Sequence, residues 1–146
     1  MAWPVRDLRA FLQGEWRLSR RIHDLRLALR GRFDGRASVT AATDSLLLKE
    51  TGRFAFGGHV SDASQNYRIV WEGAAARVFR ADGSTFHDLD LSSGWARILH
   101  RCGDDLYRGR YRVTDDGHFI VAWRVTGPRK DYRMASLYSR IASRLP

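Results

Sequence analysis

Beyond residue 14 the chain alternates apolar and polar side chains with a period of two, and the runs are broken about every ten residues by Gly, Asp and Ser. That pattern limits the fold more than any other feature. Successive side chains of a strand point to opposite faces, and a helix cannot gather a period-two set onto one side. In "EWRLSRRI" the period puts Trp16, Leu18 and Ile22 on one face; in "GRFDGRASVTA" it gathers Phe33, Ala37, Val39 and Ala41. "NYRIVW" does the same with Tyr67, Ile69 and Trp71, and "HFIVAWRV" with Phe119, Val121, Trp123 and Val125. There is no long helical pattern, repeat or low-complexity stretch. The expectation is an all-β chain: one domain over residues 1–146, with a single antiparallel up-and-down barrel of about 8–10 strands over residues 14–142.

The start is the exception. Pro4 suits the first turn of a helix, and Val5, Leu8, Phe11 and Leu12 recur at helical spacing before Gly14 ends the run. A short amphipathic helix over residues 4–13 is expected, and so short a helix needs something to pack on. The open end of the barrel offers that surface.

The net charge is +9, which raises polyanionic partners. All but Lys49 and Lys130 of the 25 Lys and Arg are arginines, and they are scattered through nearly every segment instead of forming a block. Scatter of this kind reads as a solvated outer face, so nucleic acid is not the expected partner. The lone Cys102 excludes an internal disulfide and any all-cysteine metal site. Arg6, Asp7 and Arg9 interrupt the place where a secretory signal would be apolar, and no run approaches the roughly 20 apolar residues of a membrane helix. A cytoplasmic protein without membrane attachment, monomeric or homodimeric, is expected.

"FLQGEWRL" resembles the opening of calycin-type barrels, the lipocalin and fatty-acid-binding superfamily, where a helical turn precedes a Gly-x-Trp strand. The resemblance implies that Trp16 plugs one barrel end and that Arg140, in "LYSRI", covers it. More specifically, "FLQGEWRLSR", "FHDLDL", "HRCGDDLY" and "GPRKDYRMASLYSR" resemble a family of unknown function, DUF6314, taken to be calycin-like. That family implies a fold and no established activity.

Turn chemistry suggests registers. A two-residue loop at Ser93 and Gly94 would set Leu91 opposite Ala96, Leu89 opposite Ile98 and His87 opposite His100. A loop at Gly103 and Asp104 sets His100 opposite Tyr107 and Ile98 opposite Gly109. A three-residue loop ending in a left-handed Gly117 sets Val113 opposite Phe119, Tyr111 opposite Val121 and Gly109 opposite Trp123. One continuous face then groups His87, His100, Cys102 and Tyr107, while Asp88, Asp90, Arg97, Arg101, Arg108, Arg110, Arg112 and Arg124 face water.

Three readings of that group stay open: a His87, His100 and Cys102 metal set, a polar corner of a ligand pocket, and a hydrogen-bonded core. No cofactor is expected, and no metal is assigned to the site, the His87, His100 and Cys102 set being the least favoured of the three readings. Arg68 and Glu50 sit on otherwise apolar faces, which suggests an internal Arg68–Glu50 pair or an Arg68, Arg20 or Lys130 anchor for a ligand anion. Tyr132 and Tyr138 line the last strand.

The leading expectation is a small intracellular protein that binds an amphipathic or aromatic, anionic small molecule. Its candidate contacts are His87, His100, Tyr107, Tyr111, Trp123, Arg68, Lys130, Tyr132 and Tyr138. The alternative is a cofactor-independent enzyme of lyase, decarboxylase or cyclase type using pocket His, Tyr and Arg. A third class is a packed barrel acting as a basic interaction module.

Overall fold

The structure, a computed structural model, describes residues 2–142. Ten antiparallel strands follow one short helix: α1 (Leu8–Leu12), β1 (Gly14–Asp24), β2 (Leu29–Ala42), β3 (Ser45–Phe56), β4 (His59–Glu72), β5 (Ala75–Arg80), β6 (Thr85–Leu89), β7 (Trp95–Cys102), β8 (Asp105–Asp115), β9 (His118–Thr126) and β10 (Asp131–Arg140). Every strand pairs with its neighbour in sequence except at one place, and β1 also pairs with β10. The sheet order runs β6-β5-β4-β3-β2-β1-β10-β9-β8-β7, so the two edges are β6 and β7 and the barrel is nearly closed.

The inward faces follow the alternation. Trp16, Leu18, Phe33, Ala37, Val39, Ile69 and Val121 are all buried, whereas Ala41 is exposed and Ile22 half-buried where the strands run past the core. A slip of one residue would turn each of these sets to solvent, which is why burial fixes the register.

Two of the expected hairpins are present. His100 faces Tyr107 and Ile98 faces Gly109; Val113 faces Phe119, Tyr111 faces Val121 and Gly109 faces Trp123. Gly117, however, is not left-handed. The turn is held instead by the Asp115 carboxylate, which accepts from Gly117 N at 2.9 Å and from His118 Nδ1 at 2.8 Å, beside a bulge between Val113 and Asp115.

The hairpin expected at Ser93 and Gly94 does not form. His87 lies opposite Val78 on β5, not opposite His100. The amino-terminal segment takes the bonds at this seam: Trp3 N donates to Val113 O at 2.8 Å and Val5 N to Leu91 O at 3.1 Å, while Val113 N donates to Gly94 O at 2.7 Å. Gly94 has φ +86, and a Cβ there would lie 2.5 Å from the Trp3 backbone, so only glycine lets this segment pass. Turn residues alone carry no information about a third segment competing for the edge.

The same contact shortens the helix. Val5 N is committed to Leu91 O outside any helix, and α1 begins only after Asp7, whose carboxylate caps it by accepting from Ala10 N at 3.0 Å. Pro4 lies outside the helix, contrary to the expected 4–13 span.

One barrel end is closed around Trp16, which is 1% exposed. Its Nε1 donates to Leu12 O at 2.9 Å, and Phe11 and Phe119 stand 5.6 and 5.0 Å away between ring centroids. Arg140 places its guanidinium 4.2 Å from the Trp16 ring and donates to the carbonyls of Phe11 (2.6 Å), Gln13 (3.1 Å) and Asp116 (3.1 Å). A planar fork reaches those carbonyls together; a lysine ammonium does not. Arg140→Lys and Arg140→Met should therefore both lower stability, by about 1–3 kcal/mol in urea unfolding, since several carbonyls lose their donor. Wild-type stability in Arg140→Lys would show that charge alone is sufficient there.

Candidate functional site

Above the Trp16 plug the barrel is not filled. A cavity of about 290 Å³ is lined at its floor by Leu12, Trp16, Ala37, Val39, Ile69 and Phe119 and higher up by Arg20, Glu50, His87, Tyr111, Trp123 and Tyr132. That volume is at the small end of ligand sites, which run from ~300 to ~1,000 Å³. A larger groove of about 930 Å³ lies on the outer surface and shares only Trp123 and Met134 with the cavity.

The polar centre of the cavity is a network tying β1, β3 and β10. Glu50 is 1% exposed, and its Oε1 accepts from Arg20 Nη2 at 3.0 Å. The Tyr138 hydroxyl donates to Glu50 Oε2, while Arg20 Nε donates to the Ser136 hydroxyl at 2.7 Å and Nη2 to the Tyr138 oxygen at 3.2 Å. Burial, reinforced by the Glu50 charge, pushes the Tyr138 hydroxyl well above its ordinary range and keeps it a donor. The expected Arg68–Glu50 pair is thus replaced by Arg20–Glu50. Arg68 is opposite Leu47 and points outward, so it does not line the cavity. The reason is register: Leu46, Leu48 and Glu50 face inward opposite Ile69, Tyr67 and Gln65, which leaves even-numbered Arg68 on the other side.

The upper wall is aromatic. Phe86 and Trp123 stack at 5.1 Å with planes 14° apart, and Tyr67 continues the stack 6.4 Å from Phe86. Phe86 reaches the interior through a β-bulge: Val78 opposes His87 and Phe79 opposes Thr85, so Phe86 is the extra residue. Trp123 lies over Gly109, where a Cβ would sit 2.5 Å from its ring.

His87 is 7% exposed. Its Nδ1 is 2.8 Å from the Asp88 carbonyl, which only accepts, so Nδ1 carries the proton and Nε2 is the acceptor for the Tyr111 hydroxyl at 3.4 Å. Burial lowers the His87 pKa, partly opposed by the Asp88 carbonyl; burial raises that of Tyr111 and pushes Tyr67 up to about 12. Both tyrosines are therefore neutral hydroxyls at physiological pH.

The expected cluster is only partly assembled. His87, Tyr111, Trp123, Tyr132 and Tyr138 line the cavity; His100, Tyr107 and Lys130 do not. Those three gather nearer the mouth, with His100 5.4 Å and Tyr107 6.0 Å from Phe86 between ring centroids. Lys130 is bound to Asp105 at 3.1 Å and to the Tyr107 hydroxyl at 3.4 Å, bonds that raise its pKa. Cys102 is exposed and 3.9 Å from Arg80 Nη1. Among the described residues no group of three His, Cys, Asp or Glu side chains converges as metal ligands, so the His87, His100 and Cys102 set is not brought together.

Sequence reasoning missed Phe86 and Arg80. Nothing in the sequence marks the bulge that turns Phe86 inward. Arg80 was legible, because Ala76, Val78 and Arg80 alternate on one face. Its guanidinium lies 4.4 Å from the Phe86 ring centroid and 5.4 Å from that of Tyr107. No carboxylate pairs with it among the described residues.

The chain belongs to a family of unknown function, DUF6314, whose pattern matches residues 12–140. No curated protein matches it in sequence. Among solved structures, the S-type phycobiliprotein lyase CPES from Guillardia theta is similar with a TM-score of 0.65 at 11% identity, over 97% of this chain and 95% of that one. A protein of unknown function from the DUF3598 family of Nostoc punctiforme is similar with a TM-score of 0.61 at 11% identity, over 96% of this chain and 51% of the other. A fluorescence-activating β-barrel designed de novo is similar with a TM-score of 0.51 at 10% identity, over 94% of this chain and 100% of the design. These likenesses show a shared barrel fold. No helix among the described residues is long and apolar enough to cross a membrane.

The lowered His87 pKa has a definite consequence for stability. As pH falls, the unfolded chain takes up a proton near the ordinary value of 6.5 while the folded one resists. The His87 contribution is therefore complete above 6.5 and is lost progressively as pH falls from there toward the lowered folded value. Urea unfolding between about pH 7.5 and about pH 5 should show this decline, and His87→Gln should flatten it. Equal slopes in the two proteins would assign the decline to another group.

Proposed function

We propose that this protein binds a small, flat, amphipathic molecule inside the barrel, its ring against Phe86 and Trp123 and its anionic edge at the mouth. The observation that carries the reading is the unfilled, aromatic-walled cavity with Arg80 lying on its Phe86 wall without a carboxylate partner among the described residues. A barrel filled by side chains would serve as an interaction module; this one retains space of ligand size.

The chemistry of the wall narrows the occupant. Arg20 is neutralised by Glu50, so the cavity centre offers hydrogen bonds more than net charge. His87 Nε2 is an acceptor, the Tyr111 and Tyr132 hydroxyls are neutral donors or acceptors, and Arg80, on the Phe86 and Tyr107 rings, has no carboxylate partner among the described residues. Lys130 already holds Asp105 and contributes less than Arg80 to an incoming anion. The fold likeness to a phycobiliprotein lyase and to a fluorescence-activating barrel supports a small-molecule occupant. A volume of about 290 Å³ favours one or two fused or linked rings over a larger chromophore.

A two-ring aromatic sulfonate dye, 5-dimethylaminonaphthalene-1-sulfonate, is a suitable probe. Titration should give saturable dye emission with quenching of tryptophan. Val121→Phe, which adds a ring to the cavity wall, should abolish the signal with the circular dichroism spectrum unchanged. Arg80→Met should weaken binding by about tenfold or more, the loss of a charge-assisted contact. Wild-type dye affinity in a folded Val121→Phe protein would place the dye outside the barrel and overturn the reading.

A further inference from the structure

The arginines that look scattered in the sequence are brought into register on the outside of the barrel. Across the strands, Leu99 faces Arg108, Arg108 faces Arg124, Arg124 faces Arg133, Arg133 faces His23 and His23 faces Arg30. One row therefore carries a basic side chain on each of β8, β9, β10, β1 and β2, with roughly 4.8 Å between strands and a span of roughly 19 Å. A second row, two residues along, runs Arg97, Arg110, Ala122, Ala135 and Arg21.

Both rows line the outer groove of about 930 Å³, and no carboxylate is among the residues that line it. Of its seven arginines only Arg124 pairs with a carboxylate among the described residues, Asp131 at 2.7 Å. Like charges directly opposite on adjacent strands destabilise a sheet. Arg97 with Arg110, Arg108 with Arg124, and Arg124 with Arg133 are all such pairs, so folding alone does not account for the arrangement.

We propose that this exterior groove binds the phosphate backbone of nucleic acid without reading its sequence. The inference is independent of the interior cavity. A row of guanidiniums matches a phosphate chain, because each planar fork can take two oxygens of one phosphate. The middle of the second row is alanine, which leaves room for a ridge between the cationic ends. Protein partners are usually anchored by large apolar or aromatic side chains at the centre of the contact. Here the one large apolar side chain projecting outward in the two rows is Leu99, 70% exposed and at the end of its row. The groove is thus polar and positive, as nucleic-acid interfaces are. Of the aromatic side chains at or beside it, Trp123 is turned into the interior cavity, while the exposed Trp95, with the Arg97 guanidinium 5.4 Å from its ring centroid, flanks one end and offers a single stacking surface that any base fits. Contact to the backbone therefore dominates.

The test is fluorescence anisotropy of the full chain with a labelled single strand and a labelled duplex of about 16 nucleotides per strand, across a salt series. Binding that weakens with salt is expected for the wild type. Replacing Arg108 and Arg133 together by Gln should lower affinity at least tenfold and reduce the salt slope by about two for the duplex. These exposed changes relieve repulsion, so thermal stability should hold or rise. Replacing Arg6 and Arg36 by Gln removes the same charge outside the groove and should change affinity less than twofold. An equal loss in both double variants would mean diffuse attraction and would overturn the proposal. So would no binding of either nucleic acid at low salt, or tighter binding to polyglutamate or to phosphatidylserine vesicles than to both nucleic acids.

Discussion

Glu50 is the group on which the interior depends. A carboxylate with 1% exposure is held only because Arg20 and Tyr138 both donate to it. Removing one partner from a buried ion pair costs about 3–5 kcal/mol, far more than a well-packed apolar replacement of the whole pair would. The arrangement is thus not the cheapest way to fill a barrel. It spans β1, β3 and β10, and because β2 lies between β3 and β1 while β1 pairs with β10, the network ties four consecutive strands across the concave face of the sheet. The same four side chains, Arg20, Glu50, Ser136 and Tyr138, form part of the cavity wall.

The other end of the problem is closure. A twisted sheet of ten strands has two edges, and here they are left without a ladder between β6 and β7. The segment from Trp3 to Val5 bonds to Leu91 and Val113 and covers part of that seam. Next to the same seam stand Phe86, His87 and His100, so the place where the barrel is least tied is also where its aromatic wall begins. Edge atoms exposed to solvent invite pairing with other chains, and covering them with the chain's own start is one way to avoid it.

Most of the fold was legible because burial enforces a period of two. The inward sets at Trp16, Phe33, Ile69 and Val121, the two hairpins around β8, and the Trp16–Arg140 cap follow from alternation, turn residues and family resemblance. What failed were relations between segments far apart in sequence. The Ser93–Gly94 turn looks like a hairpin until Trp3 occupies its edge, and Glu50 has no visible partner until the sheet order sets β1 and β10 beside β2 and β3. Phe86 depends on a bulge that leaves no local mark. The outer arginines show the same limit in reverse: a scattered composition became ordered rows only once five registers were known.

The central claim is that the barrel interior is a site that takes a small molecule. Native mass spectrometry of freshly purified protein, compared with the same sample under denaturing conditions, tests it most directly. The account predicts a native species heavier than the chain by one small organic molecule, lost on denaturation and absent from a folded Val121→Phe protein. Identical native and denatured masses, persisting after incubation with a mixed library of one- and two-ring aromatic acids, would contradict it.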